Sequence, residues 1–304
     1  MKVWIAAVSA LAASAAAQAQ QARELNFEIT ELRGGVVMLS TGVAGNLGLL
    51  VGDDGLLLVD DQLPGTGPQI EAAIESIAGE GIPRFVLNTH WHGDHIGANP
   101  HFHDAGSTIA THHNIRTRIE ESDLEFIEAD REGFLPILTF GSDLHFHMNG
   151  ETVRAIHLPD AHTDGDAIVF FENANVLHMG DILFSGWFPF IDLQSGGTVD
   201  GFIAALEAAY EMTDEETQVI AGHGPLSTRD DIMASAEMIR ETRAIISPMV
   251  EAGMSLPEVL AADPLADYHD DWTWGFICTP RMVATLYFDA AGEDGNPRAI
   301  PCSP

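Results

Sequence analysis

Apolar residues recur along the chain in two rhythms, and the places where they change mark the elements. "GNLGLLVGDDGLLLVDDQL" (45–63) sets two short apolar runs around an Asp-Asp-Gly turn, which predicts a pair of strands. "GPQIEAAIESIAGE" (67–80) then carries Ile70, Ile74 and Ile77 at helical spacing. "RFVLNTH" reads as a short buried strand, and the stretch from His113 to Ala129 as helical. Asn149-Gly150 sits between alternating runs and predicts a hairpin, and "AIVFFENANVLHMGD" (167–181) predicts a second. "VDGFIAALEAAYEM" (199–212) has an amphipathic pattern with Asp200 as its expected cap. "TQVIAGHGP" predicts a strand ending in a Gly-His-Gly turn, residues 228–253 a long helix, and roughly 280–290 a last one.

Hairpins in the earlier half and alternating strands and helices in the later half predict an α/β layered sandwich with mixed sheets. One regularity points to chemistry. His90 follows the apolar "FVLNT", Asp181 follows "NVLHMG", and His223 follows "QVIAG". Strand ends that converge on one sheet edge are where α/β proteins place their sites.

Composition narrows the classes. The 304 residues suit one large domain or two small ones. Lys2, the apolar run Val3–Ala17 and Ala17-Gln18-Ala19 have the form of a secretory signal, so residues 1–19 are expected to be removed. Residues 20–304 are then expected to form a single exported domain, periplasmic or secreted, with no membrane span. That mature chain sets 46 acidic against 12 basic residues, a net charge of −34, which argues against nucleic acid or anionic membranes as partners. It contains no lysine. Its only cysteines, Cys278 and Cys302, could pair in an oxidising compartment, closing a loop worth up to ~3.5 kcal/mol.

The densest chemistry is "NTHWHGDHIGANP" (88–100), where His90, His92, Asp94 and His95 fall within six positions. A His-rich surface loop is the bland alternative, but a loop that follows a buried strand and has histidines downstream fits a metal site better. Imidazoles and carboxylates without thiolate favour catalytic over structural zinc, and four donors here plus others later are enough for two ions.

HxHxDH followed by "AHTDGD", "MGDILF" and "AGHGP" resembles the metallo-β-lactamase superfamily over nearly the whole mature chain. The resemblance implies an αββα sandwich with metals at the edge between the sheets. It implies that His90, His92 and His162 hold one zinc, that Asp94, His95 and His223 hold a second, and that Asp181 bridges them. Iron or manganese in one position is the alternative, with His92 favouring zinc because the iron-bearing members typically carry a glutamate there. Asp60, ending "GLLLVD", would orient the cluster without touching metal. His157 and His178 are expected to pack near the site, and His145 and His147 to decorate an exposed strand.

The chemistry implied is hydrolysis of an amide, ester or thioester in a small molecule, with Asp94 orienting the nucleophile. Expected export makes a β-lactam the first candidate substrate; a lactone, ester or thioester is the alternative, and a non-catalytic zinc-binding protein a third. Against a β-lactam, Asp181 stands where cysteine-bearing β-lactamases have cysteine, and their substrate-gripping lysine has no counterpart. Arg116 and Arg118 are candidates for that grip. Trp187, Phe188 and Phe190 are candidates for an apolar substrate wall or for core, and "STGVAGNLG" (40–48) for a flexible flap.

Overall fold

The computed structural model describes residues 24–302. The expected signal segment, 1–19, lies outside the described residues. Seven strands form one sheet in chain order: β1 (Glu28–Glu31), β2 (Val36–Ser40), β3 (Leu47–Leu50), β4 (Leu57–Val59), β5 (Phe85–Leu87), β6 (Thr108–His112) and β7 (Leu138–Phe140). The pairs from β1 to β4 are antiparallel and those from β4 to β7 parallel. The second sheet has the order β12-β11-β10-β9-β8, from β8 (Asp143–Met148), β9 (Glu151–His157), β10 (Ala167–Phe171), β11 (Val176–His178) and β12 (Gln218–Ile220).

Facing side chains of the two sheets make the central core, with Val36, Leu57, Val59 and Leu87 from one sheet meeting Val153, Val169, Phe171 and Val176 from the other. Each sheet therefore has apolar residues on its outer face too, and helices cover them. Over the first sheet lies α1 (Gly67–Ala78), whose Ile70 and Ile74 are fully buried beside Phe102 of the short α2 (Asn99–Asp104). The second sheet is covered by α4 (Val199–Met212), α5 (Arg229–Glu251) and α6 (Thr279–Ala291), which follow α3 (His113–Glu121) in the chain. The expected αββα sandwich of two mixed sheets is the observed architecture. Among the described residues no helix is long and apolar enough to cross a membrane.

Two local expectations change. The helix expected over 113–129 breaks after Glu121, because the Ser122 hydroxyl accepts the Leu124 N–H at 3.2 Å and competes with the helical ladder; a single turn, Glu125–Glu128, follows. The cap of α4 is Thr198, whose Oγ1 accepts the Gly201 N–H at 2.9 Å. Asp200 lies in the first turn instead and pairs with Arg243. Cys278 and Cys302 are joined by a disulfide, which ties the C-terminal segment to the start of α6.

Candidate metal centre

The loops after β4, β5, β9, β11 and β12 meet at one edge of the sandwich and bring together every histidine and aspartate expected to ligate. His90, His92, His162 and Asp181 present donor atoms within 4.8 Å of one another, and so do Asp94, His95 and His223. The loop after β5 reaches this arrangement by turning back on itself: the N–H groups of His95 and Ile96 both donate to the His92 carbonyl, at 2.9 and 3.1 Å. Buried Asn88 ties the turn down through its Nδ2, 3.0 Å from the His95 carbonyl.

Several imidazoles have one nitrogen fixed outward and the other facing the centre. His162 Nδ1 donates to the Phe190 carbonyl at 2.7 Å, His95 Nδ1 to Asp60 Oδ2 at 2.8 Å, and His90 Nδ1 lies 3.1 Å from Thr89 Oγ1. His92 is turned the other way, with Nε2 held by Asp192 Oδ2 at 2.9 Å and Nδ1 facing His162 Nε2 at 2.9 Å. Asp60 also accepts the Thr89 N–H and hydroxyl, from a backbone at φ 60, a conformation non-glycine residues rarely hold without a local reason. Asp60 thus orients the cluster from outside. Asp192 does the same for His92, and sequence reasoning missed it: among 46 acidic residues nothing in the sequence distinguishes it.

Three of the inward atoms test whether a cation belongs here. His90 Nε2, His95 Nε2 and Asp181 Oδ1 are buried without a hydrogen-bond partner, which a folded chain does not tolerate lightly. Asp181 Oδ1 lies 3.1 Å from His95 Nε2 and 3.4 Å from His223 Nε2, and its Oδ2 lies 3.6 Å from His162 Nε2, so this one carboxylate touches both groups. Burial, with the neighbouring imidazoles, keeps His90 well below its ordinary pKa and takes His162 down to about 4. Burial opposes ionisation of Asp94 and Asp181, yet His95 and His223 hold both carboxyls well below the usual range. Burial likewise opposes charge on His223, but Asp181 and Asp94 raise it to about 9. Asp181 and Asp94 likewise raise His95 well above its ordinary pKa against its burial, so neutral His90 and His162 and ionised Asp94 and Asp181 are ready donors, while His95 and His223 would exchange a proton for a bound ion; with no thiolate, this is a donor set suited to a divalent metal.

The cluster opens into a cavity of about 960 Å³. Aromatic rings form much of its apolar wall, Trp91, Phe126, Trp187, Phe190, Trp274 and Phe276, and Glu28, Asp94, Asp181 and Asp192 also line it. Phe184 stacks on His223 at 5.2 Å, Phe190 on His92 at 5.7 Å, and Trp187 on Trp274 at 5.1 Å. Val43 and Ala44 of the expected flap border the opening. Trp187 and Phe190 are thus wall residues. Phe188 is not: it is fully buried, with its N–H bonded to the Trp272 carbonyl. Arg116 and Arg118 do not reach the cavity. Arg116 bonds the Pro136 carbonyl and Glu120, and Arg118 grips Asp164 with two bonds at 2.6 and 2.8 Å. The expected packing histidines are buried or half-buried, His178 against the Asn46 carbonyl and His157 stacked on His112 at 3.7 Å; His145 and His147 are exposed. Trp274, Phe276 and Arg298 were missed, although "WTWGF" (272–276) sets three aromatic residues in five positions.

A sandwich with this edge cluster defines a class of metal-dependent hydrolases. Residues 40–223 match the family model described as Metallo-beta-lactamase superfamily, and the chain belongs to that family. Among its relatives, the "Probable metallo-hydrolase YqgX" of Bacillus subtilis is 26% identical over 190 residues, 60% of this chain and 86% of that one. An "Atrochrysone carboxyl ACP thioesterase" of Aspergillus terreus is 33% identical over 96 residues, 32% of this chain and only 25% of the relative. The solved "Metallo-beta-lactamase from Pontibacter korlensis" shares the fold with a TM-score of 0.59 at 15% identity, covering 71% of this chain and 99% of that one.

Proposed function

We propose that this metallo-hydrolase works with two zinc ions and cleaves an ester or thioester in a small, largely apolar molecule. The observation that carries the reading is the convergence of unpartnered His90, His95 and Asp181 atoms beside an aromatic cavity. His90, His92 and His162 would hold one ion, Asp94, His95 and His223 the other, and Asp181 both. Zinc held there supplies Lewis acidity and lowers the pKa of water towards neutrality.

The chain's own residues do the rest. Asp94, at 30% exposure, is the ligand carboxylate turned most toward the cavity; held ionised by His95 and His223, it can orient the attacking water and take its proton at Oδ2. Asp60 and Asp192 hold the outer nitrogens of His95 and His92, which turns the other nitrogen of each ring toward the centre. Trp187, Phe190 and Trp274 take the apolar body of the substrate and exclude water around the carbonyl.

An ester or thioester leads because the position expected to bridge the metals is a carboxylate, Asp181, where cysteine-bearing β-lactamases have cysteine. A relative named a thioesterase points the same way. A β-lactam is the second reading, favoured by the expected export of the domain 20–304 after removal of residues 1–19. The disulfide supports an oxidising compartment, periplasmic or extracellular. Turnover of a thioester, a lactone and nitrocefin by zinc-loaded protein, with and without chelator, tests the proposal. Chelator-sensitive thioester or ester cleavage with kcat/KM above about 10⁴ M⁻¹s⁻¹ is expected. Two bound zincs with no turnover of any of the three would leave a zinc-binding protein instead.

A further inference from the structure

The cavity has a cation that the hydrolytic chemistry does not use. Among its described lining residues, Arg298 is the only lysine or arginine. It sits in the turn Pro297–Ala299, and its backbone is fixed at both ends: its N–H donates to Asn296 Oδ1 at 3.0 Å, and its carbonyl accepts from Arg281. The disulfide closes the same segment four residues later. Its guanidinium lies 5.8 Å from the ring centres of both Phe190 and Phe276 and, among the described residues, forms no ion pair. Of the other described arginines, Arg116, Arg118, Arg240 and Arg243 have carboxylate partners, and Arg84, Arg131, Arg229 and Arg281 are spent on backbone carbonyls.

Phe190 links this cation to the metal-type cluster. One face relation is with Arg298; the same ring stacks on His92 at 5.7 Å and meets His162 edge-on at 5.5 Å. The guanidinium and the inward imidazoles are therefore separated by about one aromatic ring. A fork of N–H donors resting on aromatic rings is pre-organised for a planar anion.

We propose that Arg298 is the anchor for a carboxylate carried by the substrate. The substrate would then be an acyl compound with a ring-sized apolar body between its scissile carbonyl and its anionic end. The scissile carbonyl rests on the hydrolase reading above, whereas the anion site rests on the placement of Arg298 alone.

Two measurements separate these. Calorimetry on the full chain after chelator treatment compares 4-phenylbutyrate with its uncharged amide, so that no metal competes for the carboxylate. The acid is expected to bind at least tenfold more tightly. Arg298→Gln should erase that difference and leave amide affinity unchanged, and Arg298→Lys should keep part of it. In parallel, zinc-loaded protein is given mono-(4-nitrophenyl) adipate and 4-nitrophenyl hexanoate. The wild type should prefer the anionic ester, and Arg298→Gln should lose the preference through KM. A difference between acid and amide that survives Arg298→Gln, or an equal loss of both ligands, overturns the anchor and leaves Arg298 as packing. If neither ester is cleaved while the acid-selective binding still depends on Arg298, the anchor stands and the hydrolase reading fails.

Discussion

Asp60 Oδ2 lies 2.8 Å from His95 Nδ1, and both side chains are fully buried. The carboxylate holds the outer nitrogen of His95 and turns Nε2 toward Asp181 and Asp94, which raise the pKa of the ring against its burial, so a bound metal would take the place of the inward proton. Asp60→Asn places an amide where that carboxylate was. If the amide N–H faces the ring, the proton moves to Nε2 and blocks the inward position. Metal affinity should fall by about 10–100-fold, measured by competition with a chromophoric chelator. Wild-type affinity in the variant would remove Asp60 from any positioning role.

Two glycines at the centre are required for space. Neither Gly45 nor Gly222 has a positive φ. A Cβ at Gly45 would overlap the imidazole of His95, and one at Gly222 would overlap the Asp181 carboxylate and the Gly180 carbonyl. Each change to alanine should displace a metal-facing group, with stability falling by about 1–3 kcal/mol and bound metal falling below the wild-type stoichiometry. Gly141→Ala, where nothing lies within 4 Å of the added carbon and φ is not positive, is the control and should change neither. Metal analysis after dialysis checks all three; full occupancy in Gly45→Ala would show that the flap yields instead.

Much of this centre is legible in the sequence because its chemistry is local. His90 through His95 crowd four donors into six positions, and Asp181 and His223 each follow an apolar strand. What surrounds the donors is less so. Asp192 reaches His92 across 100 positions of sequence, and Arg298 reaches the cavity only because a disulfide and a hydrogen-bonded turn return the chain to it. Contacts of that kind leave no periodic trace. Phe188 shows the limit within a short run: of three bulky residues in four positions, only the folded loop decides which one is turned away from the cavity. The Thr198 cap was hidden by a better-placed decoy, since Asp200 is acidic and lies within the first turn, where charge alone is favourable.

A second histidine system sits apart from the metal-type cluster and predicts a pH effect on stability. His112 ends β6, stacks on His157 at 3.7 Å, and caps α3 by accepting the Asn114 N–H at Nδ1, 3.3 Å away. Burial, followed by the nearby His157 and His113, lowers its pKa to about 4. The unfolded chain binds a proton near pH 6.5 and the folded chain does not until about pH 4, so stability is full above 6.5 and declines as pH falls through that window. Protonation also removes the lone pair that caps the helix. The loss should be on the order of 1–3 kcal/mol. His112→Asn keeps an acceptor at the cap and does not titrate, so urea midpoints at pH 7.5 and 4.5 should lie closer together in the variant. An unchanged gap would take the acid sensitivity away from His112.

The disulfide and the aromatic wall can be separated by the same logic. Cys302 closes residues 296–302 onto the start of α6, but Trp274 is held independently, its Nε1 donating to the Phe188 carbonyl at 2.9 Å and its ring stacked on Trp187. Arg281 adds bonds to the Ile300 and Phe276 carbonyls that need no disulfide. Opening the Cys278–Cys302 bond with Cys302→Ser therefore frees the tail more than the wall. Unfolding stability should fall by up to ~3.5 kcal/mol, the entropy of a loop of this length, and the melting temperature by several degrees. The tryptophan emission maximum at 25 °C should stay where it is. A shifted maximum would mean that the wall depends on the disulfide, and an unchanged melting temperature that the Arg281 bonds alone hold the tail.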